Sequence, residues 1–191
     1  ELDAALAPRP RRARAAAPAR TAGGSPRACP APAQPDGPTP CLRHRPPPAG
    51  ALVAALGGGS GVLGLAALGL GAEAVVAADT DSLAVRATVH NRGLNQRSEA
   101  QLGVAQGSVE ALQQLLSGKR AHLLLCNILA PVIEALAPAF EDLVTPDGRA
   151  LLSGLLVDQA PRLKEVLAEL GWTVTAEDSQ GRWGLLEIRH H

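Results

Sequence analysis

The chain has 191 residues, enough for one domain and a tail, and its formal net charge of zero conceals two stretches of opposite character. Eight arginines against three acids leave residues 1–50 at +5, whereas ten cations against fifteen acids leave 51–191 at −5. Three cysteines without a Cys-x-x-Cys argue against a disulfide framework or a zinc site and fit a reducing cytosol. Two Trp, one Phe and no Tyr, with no Arg stripe in the folded part, argue against base stacking and direct nucleic-acid binding.

Residues 1–50 hold twelve of the sixteen prolines and only three leucines (Leu2, Leu6, Leu42), with no Val, Ile, Phe or Trp. That is too little apolar surface to offset the entropy of ordering, so the segment is expected to be a disordered, basic Pro/Ala/Arg-rich tail. It opens on Glu1, not Met; a fragment, a transit peptide and a misread GC-rich frame are the other readings. From Ala51 the pattern changes. Ala51–Leu56 reads as a buried strand ending in glycine, and Ser60–Leu70 as a helix stopped by Gly71. Ala51–Ala72 carries no charge and is long enough to span a bilayer. Seven of those residues are Gly, however, clustered where a soluble strand–turn–helix needs them, so no membrane span is expected.

Ala74–Ala78 is a second strand ending at Asp79, and Ser82–Arg92 a helix closed by Gly93. Leu102–Gln106 and Val109–Leu116 are a weaker strand and a helix. Ala121–Cys126 is a Leu-rich strand. Pro131–Val144 reads as one helix, Pro146-Asp147-Gly148 as a turn and Ala150–Ser153 as a strand. Asp158–Leu170 is an amphipathic helix ended by Gly171. Trp172–Ala176 and Trp183–Ile188 form a hairpin around Asp178-Ser179-Gln180-Gly181. Five strand–helix alternations imply an α/β fold, mostly parallel, with helices on both faces and a closing antiparallel hairpin. Ligands of such sheets sit at the carboxyl ends of the strands.

Chemistry is therefore sought at those ends. Gly57-Gly58-Gly59-Ser60-Gly61 opens the first helix, where glycines let backbone approach a ligand and leave helix N–H groups to bind it; a plain tight turn is the alternative. Asp79 is placed to accept ribose hydroxyl protons, while nearby Asp81 reads as a helix-entry acid. Asn127 comes after the fourth strand, either as an amide at the mouth of the sheet or as an N-cap. Ser108 and Glu110 come after the third strand; Ser108 is either near an adenine amine or a helix N-cap. The histidines show no ligand spacing, so no metal is assigned.

Val53–Ala72, Val75–Asn91, Asn127-Ile128-Leu129-Ala130-Pro131 and the run from Leu136-Ala137-Pro138 to Leu151-Leu152-Ser153-Gly154-Leu155 resemble the ribosomal protein L-eleven methyltransferase family (PrmA-type). The resemblance covers residues 51–191 and implies a Rossmann-like class I methyltransferase domain with a seven-stranded sheet. It implies S-adenosyl-L-methionine as donor and amino groups of a large-subunit ribosomal stalk protein as acceptor, in the cytoplasm. By the same resemblance Gly57, Gly59 and Gly61 lie along the cofactor, Asp79 binds its ribose, and Asn127 sits near the methyl group and the target amine. The family's acid in the first strand is Ala55 here, its frequent loop Cys is Gly58, and nothing in 1–50 matches its Phe-Gly-Thr-Gly-x-His segment. Thr39-Pro40-Cys41-Leu42 reads as a remnant of the stretch just C-terminal to that segment. Two other functions stay open: a nicotinamide-dependent oxidoreductase, because Gly59-Ser60-Gly61-Val62-Leu63-Gly64 fits the dinucleotide pattern, and a catalytically inactive relic of the fold.

Overall fold

The structure, a computed structural model, describes Leu42 and residues 45–190. The expectations for residues 1–41, including most of the Thr39–Leu42 stretch, and for His44 and His191 lie outside the described residues. Seven strands form one sheet: β1 (Leu52–Leu56), β2 (Ala74–Asp79), β3 (Leu102–Gln106), β4 (Ala121–Asn127), β5 (Val144–Leu156), β6 (Trp172–Gln180) and β7 (Trp183–His190). Their order is β3-β2-β1-β4-β5-β7-β6. β1 to β5 pair in parallel, and β7 runs antiparallel between β5 and β6. This is the Rossmann-like, mostly parallel sheet closed by an antiparallel hairpin. Successive strands run outward from β1 to β3, and β4 then returns to the other side of β1. The switch point lies between β1 and β4, where sheets of this type open a crevice for ligands.

Both faces of the central strands are covered, which is why they are continuous apolar runs without alternation. Ala54, Leu56, Leu124 and Leu152 face a core built with Val109, Ile133, Phe140, Leu163 and Trp172. The helices on that side are α3 (Val109–Leu116), α4 (Ala130–Leu136), α5 (Phe140–Leu143) and α6 (Ala160–Glu169). Val53, Ala55, Leu123 and Leu151 face a second core with Leu63, Ala67 and Leu42. That side carries α1 (Val62–Gly69), with α2 (Ser82–Leu94) packing over β2 and β3. Gly64 lets α1 lie close to the sheet; a Cβ there would stand 3.1 Å from Val75 Cγ1.

Several boundaries differ from the sequence reading. The expected helix 131–144 is split into α4, a 3-10 turn at Ala137–Ala139 and α5. Pro138 has no N–H to donate and its ring crowds the preceding turn. The Pro146-Asp147-Gly148 turn exists, but inside β5: Ala121 pairs with Val144 and Leu123 with Arg149, so Thr145–Gly148 oppose His122 alone. The last helix starts later than Asp158, since Val157–Gln159 is a 3-10 turn and α6 begins at Ala160 with Pro161 in its first turn. The hairpin strands run on to Gln180 and restart at Trp183, leaving Gly181-Arg182 as the turn, with Gly181 at φ +59°.

The packed unit also reaches upstream of Ala51, which corrects a tail boundary at residue 50. Leu42 is fully buried. Arg149 donates to the carbonyls of Arg45 and Pro46 at 2.9 and 2.7 Å. Glu187, buried on β7, lies 3.4 Å from the Arg45 guanidinium and 3.5 Å from that of Arg149. A buried carboxylate needs such partners, and here they strap residues 45–46 to the sheet. Among the described residues no helix is long and apolar enough to cross a membrane.

Candidate functional site

The β1–α1 loop is built by glycines in the left-handed region, with Gly57, Gly59 and Gly61 at φ +70°, +54° and +79°. Gly57 and Gly58 donate to the Ala78 carbonyl at 3.0 and 3.2 Å, tying the loop to the end of β2. The three left-handed positions differ in what surrounds them. A Cβ on Gly57 would run into Ile128 Cγ2, and one on Gly61 would stand 2.7 Å from Thr88 Cγ2. A Cβ on Gly59 would meet nothing within 4 Å. Gly57 and Gly61 are thus glycines because protein packs on them; Gly59 is the one that faces open space.

Asp79 closes β2 and reaches this loop. Its Oδ2 accepts the Gly59 N–H at 2.9 Å and its Oδ1 the Asp81 N–H at 3.0 Å. Asp81 is the N-cap of α2, accepting the Leu83 N–H at 2.8 Å. Of the two neighbouring acids, Asp79 is bonded to the glycine loop and Asp81 caps the helix. Ala55, at the position of the family's first-strand acid, is buried among apolar side chains and offers no acceptor to the loop.

Asn127 ends β4 directly beside the loop, its carbonyl oxygen 3.3 Å from where a Gly57 Cβ would lie. It is not an N-cap: α4 starts at Ala130 and its N-cap position is Leu129. The Asn127 Oδ1 instead accepts the Ser153 hydroxyl at 3.2 Å. Ser108 holds the N-cap position of α3, but its side chain makes no capping bond. Its backbone N–H donates to Glu110 Oε1 at 2.9 Å, and that bond, with one from Glu110's own N–H, holds the Glu110 carboxyl below its ordinary pKa. Gly107 N–H donates to the Asp79 carbonyl at 3.0 Å, so Ser108 comes immediately after the β2–β3 end. Burial pushes the Cys126 thiol far up, so it stays protonated and unreactive. No group of three metal-ligating side chains exists among the described residues.

The structure thus brings Gly57, Gly59, Gly61, Asp79 and Asn127 to one place, with Ser108 at the neighbouring strand end. Sequence reasoning missed the residues that hold them. Thr88 and Asn91 are buried on α2; the Thr88 hydroxyl donates to the Gly59 carbonyl and Asn91 Nδ2 to that of Ser60, both at 2.8 Å. Their signal was two polar residues three apart, one helical face, close after the acid of β2. Ser153 was the other, a hydroxyl after an apolar strand run.

A family model described as "Ribosomal protein L11 methyltransferase (PrmA)" matches residues 47–191. A ribosomal protein L11 methyltransferase from Parasynechococcus marenigrum (strain WH8102) is 75% identical over 151 residues, covering 78% of this chain and 52% of that protein. The chain thus spans about half the length of the curated relatives it matches. The structure is similar to that of a ribosomal protein L11 methylase from Lactobacillus delbrueckii subsp. bulgaricus, with a TM-score of 0.70 and 29% identity over 80% of this chain and 77% of the other. It shares its fold with SMU.776, described as a methyltransferase and complexed with SAH, at a TM-score of 0.62 and 12% identity over 77% of this chain and 47% of the other.

Proposed function

The chain belongs to the ribosomal protein L11 methyltransferase family, and we propose that its domain, residues 51–191 with the stretch from Arg45 strapped to it, binds S-adenosyl-L-methionine and methylates a ribosomal protein. The acceptors are amino groups, lysine side chains and the N-terminus, of the large-subunit stalk protein L11, and the setting is the cytoplasm. The observation that carries this reading is the meeting of Asp79 and Asn127 on one glycine loop, one through Gly59 and the other against Gly57.

The residues present fit a nucleoside cofactor. Gly59 faces open space, and each Asp79 oxygen has accepted one bond, which leaves lone pairs for the ribose hydroxyls. The α1 N-terminus adds unpaired N–H character at the same point. Ser108 stands at the next strand end, on the side for an adenine amine. S-adenosyl-L-methionine supplies a methyl group already activated by its sulfonium. The protein therefore has to align the acceptor and exclude water. The amine must be neutral, since an ammonium has no lone pair to form the new N–C bond as the S–C bond breaks; its proton leaves to solvent. Asn127 Oδ1, with one lone pair on Ser153, has a second to accept an N–H of the amine and aim its lone pair. The apolar Ile128, Leu129 and Ala130 offer no aromatic face to a flat base, which favours an aliphatic amine over a nucleic acid.

Titration calorimetry of the chain with S-adenosylmethionine, S-adenosylhomocysteine and NAD tests the cofactor. Binding of the first two alone is expected; binding of NAD alone would reverse the reading toward an oxidoreductase, which the family match leaves without support. Methyl transfer to purified ribosomal protein L11 tests the acceptor.

A further inference from the structure

β5 loses register with β7 between Ser153 and Leu155, so Gly154 is an extra residue, at φ +83°. Leu152 and Leu155 consequently face the same core, which residues three apart in a regular strand cannot do. Ser153 lies opposite Asn127 in the β4–β5 ladder. It is 5% exposed, and its single hydroxyl proton has the Asn127 Oδ1 at 3.2 Å and the Cys126 carbonyl at 3.4 Å as acceptors. Gly154 lets the strand backbone touch the turn after Asn127. A Cβ there would lie 2.7 Å from the Ile128 carbonyl oxygen, 2.9 Å from its nitrogen and 3.0 Å from Asn127 Oδ1. The Ile128 N–H also donates to the Ser153 carbonyl at 3.1 Å.

From this geometry we propose that Ser153, set by the Gly154 bulge, is a positioning residue that holds the Asn127 side chain in place at the strand end. The inference rests on the acceptor role of Asn127 proposed above. Bulges near active sites re-aim side chains, and this one directs a hydroxyl at the Asn127 amide. The bond to Ser153 tethers the amide to β5 and restrains the swing of the Asn127 side chain. An untethered amide would no longer keep its oxygen where the acceptor amine needs an acceptor for its N–H. The hydroxyl therefore keeps the amide within reach of the amine while leaving the cofactor side untouched.

The test uses the full chain with Ser153→Ala, Ser153→Thr and Asn127→Ala. The first readout is NMR of the Asn127 Nδ2 protons, which needs neither cofactor nor turnover. Ser153→Ala is expected to loosen that amide and speed its exchange with solvent, and Ser153→Thr to keep it as in the parent. The second readout is kinetic, on ribosomal protein L11. Ser153→Ala is expected to lower kcat about ten- to a hundred-fold, the scale of a misplaced reacting group, with S-adenosylmethionine affinity unchanged and Ser153→Thr recovering most of the loss. An Asn127 amide indifferent to the hydroxyl would overturn the inference. So would a full kcat in Ser153→Ala beside an inactive Asn127→Ala. Full turnover by Asn127→Ala would overturn the role of Asn127 itself, and this inference with it.

Discussion

The two halves of the sheet are built differently. β2 pairs with β1 and β3, and β1 with β4, in unbroken register. Across the other half, β4–β5, β5–β7 and β7–β6 each carry a shift. The regular half holds the glycine loop and Asp79; the irregular half holds Asn127 and Ser153. In the proposed function the regular half is the cofactor side, with straight strands and a loop of glycines. In the same proposal the irregular half is the acceptor side, where each bulge changes which face the next residue takes. The fold thus keeps one half regular and confines its register shifts to the other.

Breaking the glycine loop of the regular half should have the largest effect. Gly57→Ala forces a left-handed backbone and a Cβ into Ile128, and should cost about 2–4 kcal/mol of stability and abolish cofactor binding, read by thermal melting and calorimetry. Gly154→Ala is the counterpart on the irregular side. It should cost about 1–3 kcal/mol and reduce turnover more than cofactor affinity, because its neighbour is the Asn127–Ile128 turn. If both substitutions lowered affinity alike, the division between the halves would not hold.

Asp79→Asn should come next. The carboxylate accepts two backbone N–H bonds, and an amide replaces one of its oxygens by a donor. Affinity for S-adenosylmethionine should fall by about tenfold or more, the loss of one bond to a charged group, with folding only modestly weakened. Thr88→Val sharpens the same half at lower cost. It keeps the shape but leaves the Gly59 carbonyl without its hydroxyl, for a loss of about 1–2 kcal/mol that urea denaturation would read.

The smallest effect should be that of Glu110→Gln. The native carboxyl is held below its ordinary pKa by the Ser108 and Glu110 N–H groups. A carboxylate with a depressed folded pKa adds stability above its unfolded pKa, and that stability is lost as pH falls through the folded value. The variant should melt slightly lower than the parent at pH 7, and the difference should vanish in acid.

Much of this was legible from residue order. Apolar runs ended by Gly57, Asp79 and Asn127 marked β1, β2 and β4, because strands covered on both faces need no polar phase. Gly57, Gly59, Gly61 and Asp79 could be proposed as one site because a strand–turn–helix fixes where its loop must lie. Asn127 remained ambiguous between cap and site, since an N-cap and a strand-end amide look alike until the first turn of the helix is placed; here that turn begins three residues later, at Ala130. The split at Pro138 was visible in principle as a single residue that removes a helical donor.

The sequence by itself determined the element order, the parallel α/β class and the strand ends at which chemistry would lie, because these depend on local periodicity and backbone preference. Only the tertiary structure decided which glycines are required by packing and which one faces open space. It alone showed that Thr88 and Asn91 brace the loop, that Arg149 and Glu187 strap residues 45–46 to the sheet, and that Ser153 holds Asn127. Those relations join residues 26 to 142 positions apart, and a pattern read along the chain carries no information about which distant groups a register shift will bring within hydrogen-bond reach.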